Sequence, residues 1–304
     1  MKASELSELT IARAETDADL EAMIHVRGLA TPEAHPKVEN LRFNLETTEG
    51  LRYLVAWAGG EPVGCAFVEP VADLVRADVL VVPAARRRGV GSALLEAVSE
   101  HTRALGKGSL QGEVKENDPE SRAFFERRGF VKVGGEQALV LELDGLEAPE
   151  VDPPVGVRIA SRLEEPDRLE EMYAVAVQGE EDIPGQPGVS TFEEWRAHEI
   201  DKPVRRPELM FIALAGDEVV GYAGLQAYDD EAFHGLTVTR RDWRRRGVAS
   251  ALKRAEIATA KRVGFKRLLT ESEERNEPMR KLNEKLGFVP APEWSMVVLR
   301  GPLQ

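Results

Sequence analysis

The chain has 304 residues, 42% of them hydrophobic and 31% charged, with a net charge of −13; this length suits two domains of about 150 residues, each able to bury its own core. An acidic surface opposes general affinity for nucleic acid or anionic membrane, and no apolar run approaches the ~20 residues of a membrane span. Residues 1–8 are polar and acidic, without a signal peptide's apolar segment or a transit peptide's Arg-rich face, so a cytoplasmic location is expected.

Residues 10–15 read as a strand, and Asp17 then caps a helix whose Leu20, Met23, Ile24 and Val26 share one buried face. A Pro- and charge-rich stretch, 31–39, breaks it. Runs at 51–57 and 63–68 flank the turn 58–61 and make a hairpin. The lone Cys65 sits in the second run beside Gly64, as a buried packing residue. A third strand, 79–82, delivers the chain to Arg86-Arg87-Arg88-Gly89-Val90-Gly91. Beyond it Val90, Ala93, Leu94, Ala97 and Val98 recur at helical spacing. A strand at 109–114 follows, then a helix over 117–128 stopped by Gly129-Phe130, and 138–143 closes the first half as its last strand. Residues 144–156 are acidic, contain Pro149, Pro153 and Pro154, and show no periodicity. A linker at 147–156 is therefore expected between domains at 1–146 and 157–304.

The order of elements then begins again: a strand at 157–159, a helix at 163–176, a hairpin of 210–215 and 219–228 around Gly216-Asp217, and a strand at 233–239. That strand leads to Arg244-Arg245-Arg246-Gly247-Val248-Ala249. Gly89 and Gly247, Gly106 and Gly264, and Gly129 and Gly287 all stand 158 residues apart, while Asn117 and Asn276 stand 159 apart, which reads as one inserted residue. A period of this size is too long for a solenoid and indicates two copies of one domain.

Three features in each half carry a resemblance to the GNAT superfamily of N-acetyltransferases, in tandem. They are the Arg-x-x-Gly-x-Gly/Ala loop after a strand, written Val81-Val82-Pro83 in the first half; the asparagine opening the next helix, Asn117 and Asn276; and the Gly-Phe closing that helix, Gly129-Phe130 and Gly287-Phe288. The resemblance implies an α+β fold: two domains, each a mixed, mostly antiparallel sheet flanked by helices. It also implies acetyl-CoA as acyl-donor substrate, with no metal. Its pyrophosphate would lie on Arg86, Arg87, Arg88, Gly89, Val90, Gly91 and Ser92, and again on Arg244, Arg245, Arg246, Gly247, Val248, Ala249 and Ser250. Asn117 and Asn276 would stand beside it. Physical chemistry agrees, because glycine permits close approach and the unpaired N–H groups opening a helix need an acceptor. In the family the strand before the loop splays from its neighbour, which would offer backbone donors to the pantetheine arm at Val81 and Val82, and at Thr239 and Arg240.

The chain also departs from the family. Where many members have a tyrosine near the coenzyme sulfur stand Phe125 and Asn283, and the former has no proton to give. Where many have a glutamate base stand Val75 and Phe233; acids occur two positions earlier, Asp73 and Glu231, with His234 a further candidate on the opposite strand face. Glu113 and Glu271 correspond across the repeat, and Tyr222 and Tyr228 offer replacement acids. An acidic loop at 179–188, followed by Trp195 and His198, suits a cationic amine. The resemblance thus implies direct acetyl transfer to the primary amine of a small, cationic acceptor, with the second half as the active one. Glu231, His234 and Asn283 are its candidate catalytic residues, and Asp73 is that of the first half. A non-catalytic acetyl-CoA-binding or sensing module is the alternative.

Overall fold

The protein was studied as a computed structural model, which describes residues 9–31, 36–71, 73–182 and 190–304. Elements run, in order, β1 (Thr10–Arg13), α1 (Asp17–Ala30), α2 (Val38–Thr47), β2 (Arg52–Ala58), β3 (Glu61–Val71), β4 (Leu74–Val81), α3 (Val90–Ala104), β5 (Ser109–Lys115), α4 (Pro119–Glu126) and β6 (Val131–Glu142). The second series is β7 (Val157–Ser161), α5 (Leu169–Glu180), α6 (Phe192–Trp195) continued by a π-helical turn (Arg196–Asp201), β8 (Arg205–Ala215), β9 (Glu218–Tyr228) and β10 (Glu231–Thr239). It ends with α7 (Val248–Val263), β11 (Arg267–Glu273), α8 (Glu277–Lys285), β12 (Val289–Pro290) and β13 (Met296–Pro302).

The chain forms two compact units, Met1–Val133 with Val297–Gln304, and Gly134–Met296. In the first the strand order is β1-β2-β3-β4-β5-β13; in the second it is β6-β11-β10-β9-β8-β7, with β12 also on β6. Pairing is mostly antiparallel, with a parallel step at β4–β5 and at β10–β11. Each unit is thus the mixed sheet with flanking helices that the motifs imply.

One strand departs from the reading of the sequence. The strand expected at 138–143 to close the first half is the end of β6, which stops at Glu142 and pairs with β11 from Arg267↔Glu142 to Glu273↔Glu136 in the second unit. The chain's last strand, β13, stands next to β5 in the first. There Val297 and Leu299 enter the core, and Gly301 lies so close to the Phe130 ring that a Cβ would sit 2.4 Å from it. Alternating apolar residues make a strand and set its faces, but they do not name its neighbour. The expected linker, 147–156, lies inside the second unit, where Val151 packs against the buried cluster that contains Val157, Phe211 and Val248.

Local starts and stops differ for identifiable reasons. Thr16, not Asp17, caps α1: its hydroxyl accepts from the Asp19 N–H while the Asp19 carboxylate accepts from the Thr16 N–H, a capping box. Helix α5 starts at Leu169 rather than 163, since Glu164 folds back onto the N–H and hydroxyl of Ser161 and Pro166 disfavours helical geometry before it. Helix α2 was not anticipated.

Sheet faces alternate residue by residue. A Cβ on Gly64 would meet Val90 and Leu94 of α3, and one on Gly221 would meet Val248 and Leu252 of α7. The opposite faces of the two sheets carry Asp78, bound to Arg27 of α1, and Tyr222, packed with Met172 and Val175 of α5.

Candidate functional site

Each arginine–glycine loop joins a strand to a helix that has no side-chain cap. Arg87 and Gly89 have φ of 62° and 89°; Arg245 and Gly247 have 61° and 95°. Left-handed arginine is uncommon, and its recurrence at the matching place in both loops is the mark of a built turn, of the kind that gathers successive N–H groups into one concavity. The first helical bonds are Ala93 N–H to the Gly89 carbonyl and Ala251 N–H to the Gly247 carbonyl, each 3.0 Å. The N–H groups of Val90, Gly91 and Ser92, and of Val248, Ala249 and Ser250, therefore precede any intrahelical acceptor. With the positive end of a helix dipole behind them, both loops fit an anionic group such as a pyrophosphate.

The arginines of each triplet divide their roles. Arg86 Nε donates to the Val81 carbonyl at 3.2 Å and Arg244 Nε to the Thr239 carbonyl at 3.0 Å, so the first arginine clips the loop to its strand. Arg244 also pairs with Asp182 at 2.6 Å. Arg87, Arg245 and Arg246 are exposed, the last lying 4.9 Å over the Trp243 ring, and Arg88 is half-buried. Arg128, which the sequence did not single out, donates to Ser92 Oγ at 2.8 Å and stacks on Phe124, adding a cation at the first helix start.

The strands before the loops split from their parallel neighbours. β4 pairs with β5 only at Val75↔Leu110 and Arg76↔Gln111, and β10 with β11 only at Glu231↔Arg267, Ala232↔Leu268 and Phe233↔Leu269. Val82 N–H donates to the Val63 carbonyl at 3.0 Å and Arg240 N–H to the Val220 carbonyl at 2.9 Å. This corrects the sequence reading: neither Val82 nor Arg240 has a free backbone donor. Because N–H directions alternate along an antiparallel ladder, Val79 and Val81, and Thr237 and Thr239, turn theirs toward the split.

The two splits differ in their walls. The β3–β4 register is unbroken, whereas that of β9–β10 shifts between His234 and Thr237, a bulge that leaves one residue unpaired. Where the first half has Val79, Val81 and Phe125, the second has Thr237, Thr239 and Asn283, 158 residues on. The Oγ1 atoms of both threonines and Oδ1 of Asn283 are buried and lack a hydrogen-bond partner. Asn283 Nδ2 faces Ser272 Oγ at 3.4 Å, while Phe125 packs edge-on against Phe124 and Phe130. Buried polar atoms without partners are costly unless a ligand or water completes them. The second split is thus lined for a polar guest.

The remaining candidates separate. Asp73 is exposed in the turn between β3 and β4 rather than on a strand, and Glu231 is paired with Arg267, whose guanidinium lies over Trp294. Neither stands as an unencumbered base at the split. His234 is wholly buried, its Nδ1 2.8 Å from Glu256 Oε2. Burial pushes its pKa down, as does nearby Lys253, against the opposing pull of Glu256. Tyr222 is sealed in the α5 face, accepting from Trp195 Nε1 at 2.9 Å, and Tyr228 donates to Gln226 Oε1 at 3.0 Å. Trp195 is therefore core and offers no aromatic face to an amine. Glu113 is exposed and Glu271 half-buried. Asn276 caps α8, but the cap of α4 is Asp118, accepting from Ser121 N–H at 3.0 Å, while Asn117 is exposed. Asp118 and Asn276 are 158 apart, so no inserted residue is needed, and Asn117 loses its place as the structural match of Asn276. Residues 183–189 of the acidic loop lie outside the described residues. Of the rest, Glu181 and Asp182 are paired with Arg241, which together with Arg244 lowers the Asp182 pKa to about 2.

Two ion pairs were missed. On the α1 face Arg27 binds Asp78 at 3.1 Å, both about a quarter exposed. On the α5 face Arg205, 2% exposed, binds Glu199 of the π-helical turn at 2.8 Å, leaving the carboxylate 20% exposed. Arg205 crosses the bulge so closely that a Cβ on Gly235 would lie 2.3 Å from its Nη1. Only the glycine at a strand interior hinted at this approach. Among the described residues no group of three or more His, Cys, Asp or Glu is placed to hold a metal ion, and no helix is long and apolar enough to cross a membrane.

Comparison with known proteins gives a consistent picture. The family model "Acetyltransferase (GNAT) domain" matches residues 49–132 and "Acetyltransferase (GNAT) family" matches residues 169–288. An aminoglycoside N(6')-acetyltransferase type 1 of Stenotrophomonas maltophilia is 32% identical over 128 residues, 39% of this chain and 84% of that protein. Among solved structures, a tandem GNAT protein from the clavulanic acid biosynthesis pathway matches with a TM-score of 0.79 and 22% identity, over 98% of this chain and 99% of its own. A GCN5-related N-acetyltransferase of Sphaerobacter thermophilus matches with a TM-score of 0.75 and 20% identity, over 97% and 96%. At these identities the structural likeness is one of fold.

Proposed function

We propose, from the premise that this chain belongs to the GNAT superfamily of acetyltransferases, that it moves the acetyl group of acetyl-CoA to the primary amine of a small cationic acceptor, and that the second half performs the transfer. The observation that carries this assignment is the pair of split walls: Thr237, Thr239 and Asn283 bring unpartnered polar atoms to positions where the first half has Val79, Val81 and Phe125. Amides and hydroxyls of a pantetheine arm are the complement of such a wall, and the anionic end of the coenzyme suits the N–H groups of Val248, Ala249 and Ser250.

The chemistry then follows from the backbone. The amine attacks the thioester carbonyl directly, and the strand N–H groups of Thr237 and Thr239, with the residue freed by the bulge, stabilise the developing oxyanion. On the α5 face the partly exposed carboxylate of Glu199, held by Arg205, is the group best placed to draw a cationic amine to the bulge. The acidic surface and the aminoglycoside-modifying relative both support a polycationic acceptor. In the first half the valine-lined split, Phe125 and the intact loop support a role in holding coenzyme without transfer.

The test is release of free thiol from acetyl-CoA over a panel of amines that includes aminoglycosides, polyamines and amino sugars. Amine-dependent release is expected for at least one polycation. Coenzyme binding without release over the whole panel would replace the enzyme by a binding or sensing module.

A further inference from the structure

Behind the second split the apolar core is interrupted. His234, Lys253 and Glu256 have relative exposures of 2%, 1% and 0%. Lys253 and Glu256 stand one turn apart on α7, and His234 reaches them from β10. The His234 ring meets Phe288 edge-on at 5.4 Å between centroids, and Lys253 Nζ lies 5.9 Å from the centroid of that same ring. Among the described residues, the charged groups acting on His234 are Lys253 and Glu256, both from α7; its cross-strand partner on β9 is Leu225, and Phe288 faces it beyond α8.

The first half serves as an internal control. Ala77 and His234 occupy matching places, each the first residue beyond the end of the parallel pairing and each on the face that meets α3 or α7. Leu95 and Val98 match Lys253 and Glu256 at the 158-residue offset and are fully buried. The fold therefore closes over this spot with alanine, leucine and valine. Three buried ionisable side chains are not required by the architecture and are costly to it.

The cluster also has a direction. An ionised carboxylate can only accept, so opposite the Glu256 carboxylate it is Nδ1 that carries the proton, and Nε2 presents a bare lone pair. That Nε2 is buried and unpartnered, and so is Glu256 Oε1. His234 thus stands at the fork of the split with an unused acceptor, in the half whose tyrosine position is filled by Asn283 and cannot supply an acid.

We propose that His234 is the internal proton shuttle of the second half, with Glu256 as its positioning residue and Lys253 as the buried counter-charge of Glu256. This rests on the reading of the second half as the transferring one. As the nitrogen of a neutral amine bonds to the thioester carbonyl carbon, one N–H proton passes to His234 Nε2. The carbon–sulfur bond then breaks with its electron pair on sulfur, and that proton passes from Nε2 to the thiolate. The products are the amide and free thiol, the imidazole returns neutral, and no proton is exchanged with solvent. One buried group thus serves as base and then as acid.

The experiment transplants the first half's own solution. The triple variant His234→Ala, Lys253→Leu, Glu256→Val is compared with wild type, with His234→Gln as a milder change and with Glu256→Gln and Glu256→Asp. Each is measured for thermal unfolding, CoA binding by calorimetry, and kcat and KM for amine-dependent thiol release across pH. Expected for the triple variant and His234→Gln is CoA affinity within ~2-fold of wild type and kcat lower by ~10²–10⁴, with loss of the acidic limb of the kcat profile. Glu256→Gln should move that limb, and Glu256→Asp should partly restore it. Wild-type kcat and pH limb in a folded triple variant or in His234→Gln would overturn the shuttle while leaving the transferase reading intact. A wild-type protein that binds CoA but releases none with any amine would overturn both.

Discussion

The two halves are one design carried out in two materials. Both have the uncapped helix, the left-handed arginine and glycine, and the clip from the first arginine to the strand carbonyl, with φ values within a few degrees of each other. Around the split they diverge. Ala77, Val79, Val81, Leu95, Val98, Val114 and Phe125 in the first half correspond to His234, Thr237, Thr239, Lys253, Glu256, Ser272 and Asn283 in the second. The first set is apolar and the second polar, and the β9–β10 register shifts where that of β3–β4 is unbroken. A duplicated domain thus separates what the fold needs from what chemistry needs: wherever the apolar version suffices for packing, the polar version calls for another explanation.

Five measurements press on this comparison. The largest effect is expected from Trp195→Ala, which empties a fully buried site and leaves Tyr222 Oη without its donor; about 3–5 kcal/mol of stability should be lost in denaturant melts. Cys65→Ala, at the place matching Tyr222, should cost about 1 kcal/mol. Next, Gly247→Asp combines left-handed strain with repulsion of the coenzyme anion and should lower amine-dependent transfer by ~100-fold. Gly89→Asp should leave transfer within ~3-fold, and an equal loss from both would show that the halves share the chemistry.

Third, the apolar triple variant of His234, Lys253 and Glu256 should be more stable than wild type by about 1–4 kcal/mol at pH 7. Its pH dependence carries the sharper sign. Burial lowers the Lys253 pKa from 10.5 to about 8, so between those values the unfolded chain binds more protons and wild-type stability rises with pH. Burial likewise lowers the His234 pKa, so stability falls as pH drops below 6.5 and the unfolded chain takes up the proton first. Melting temperatures from pH 5 to 10.5 should show both slopes in wild type and neither in the variant. Fourth, Thr239→Val copies Val81 and should weaken CoA binding by ~3–10-fold, the worth of one hydrogen bond, without loss of stability. The smallest effect tests the repeat alignment: Asp118→Ala should cost about 1 kcal/mol as a lost helix cap, and Asn117→Ala less than ~0.5.

Much of this protein is legible from one sequence. The arginine–glycine loops declare their strand-to-helix turns, and the 158-residue repeat declares two domains of one kind, because glycine geometry and helical periodicity are local properties. The offset holds even at the helix cap, once Asp118 rather than the adjacent asparagine is recognised as the capping side chain. Phe125 and Asn283 were also identifiable in advance, being fixed by their distance from Gly129 and Gly287.

What the sequence cannot express is partnership at long range. Nothing in the pattern of 131–142 says that this strand belongs beside β11, or that Val297 and Leu299 finish the first unit's core, since alternation specifies a face and not a neighbour. Val82 and Arg240 lose their free N–H groups through register alone, which a strand read in isolation does not reveal. Trp195 and Tyr222 pass from candidate site residues to core through a hydrogen bond spanning 27 residues, and Glu199 is tied to the β10 bulge only through Arg205, which folds over it. His234 was visible as a titratable residue on the right strand. Its meaning came from Lys253 and Glu256, nineteen and twenty-two residues away, which only the packing of α7 on β10 brings to it. Sequence alone determined the two loops and the fold they organise; tertiary structure decided which polar side chains are buried without partners beside the second split, because burial and pairing belong to the folded chain and not to its local spelling.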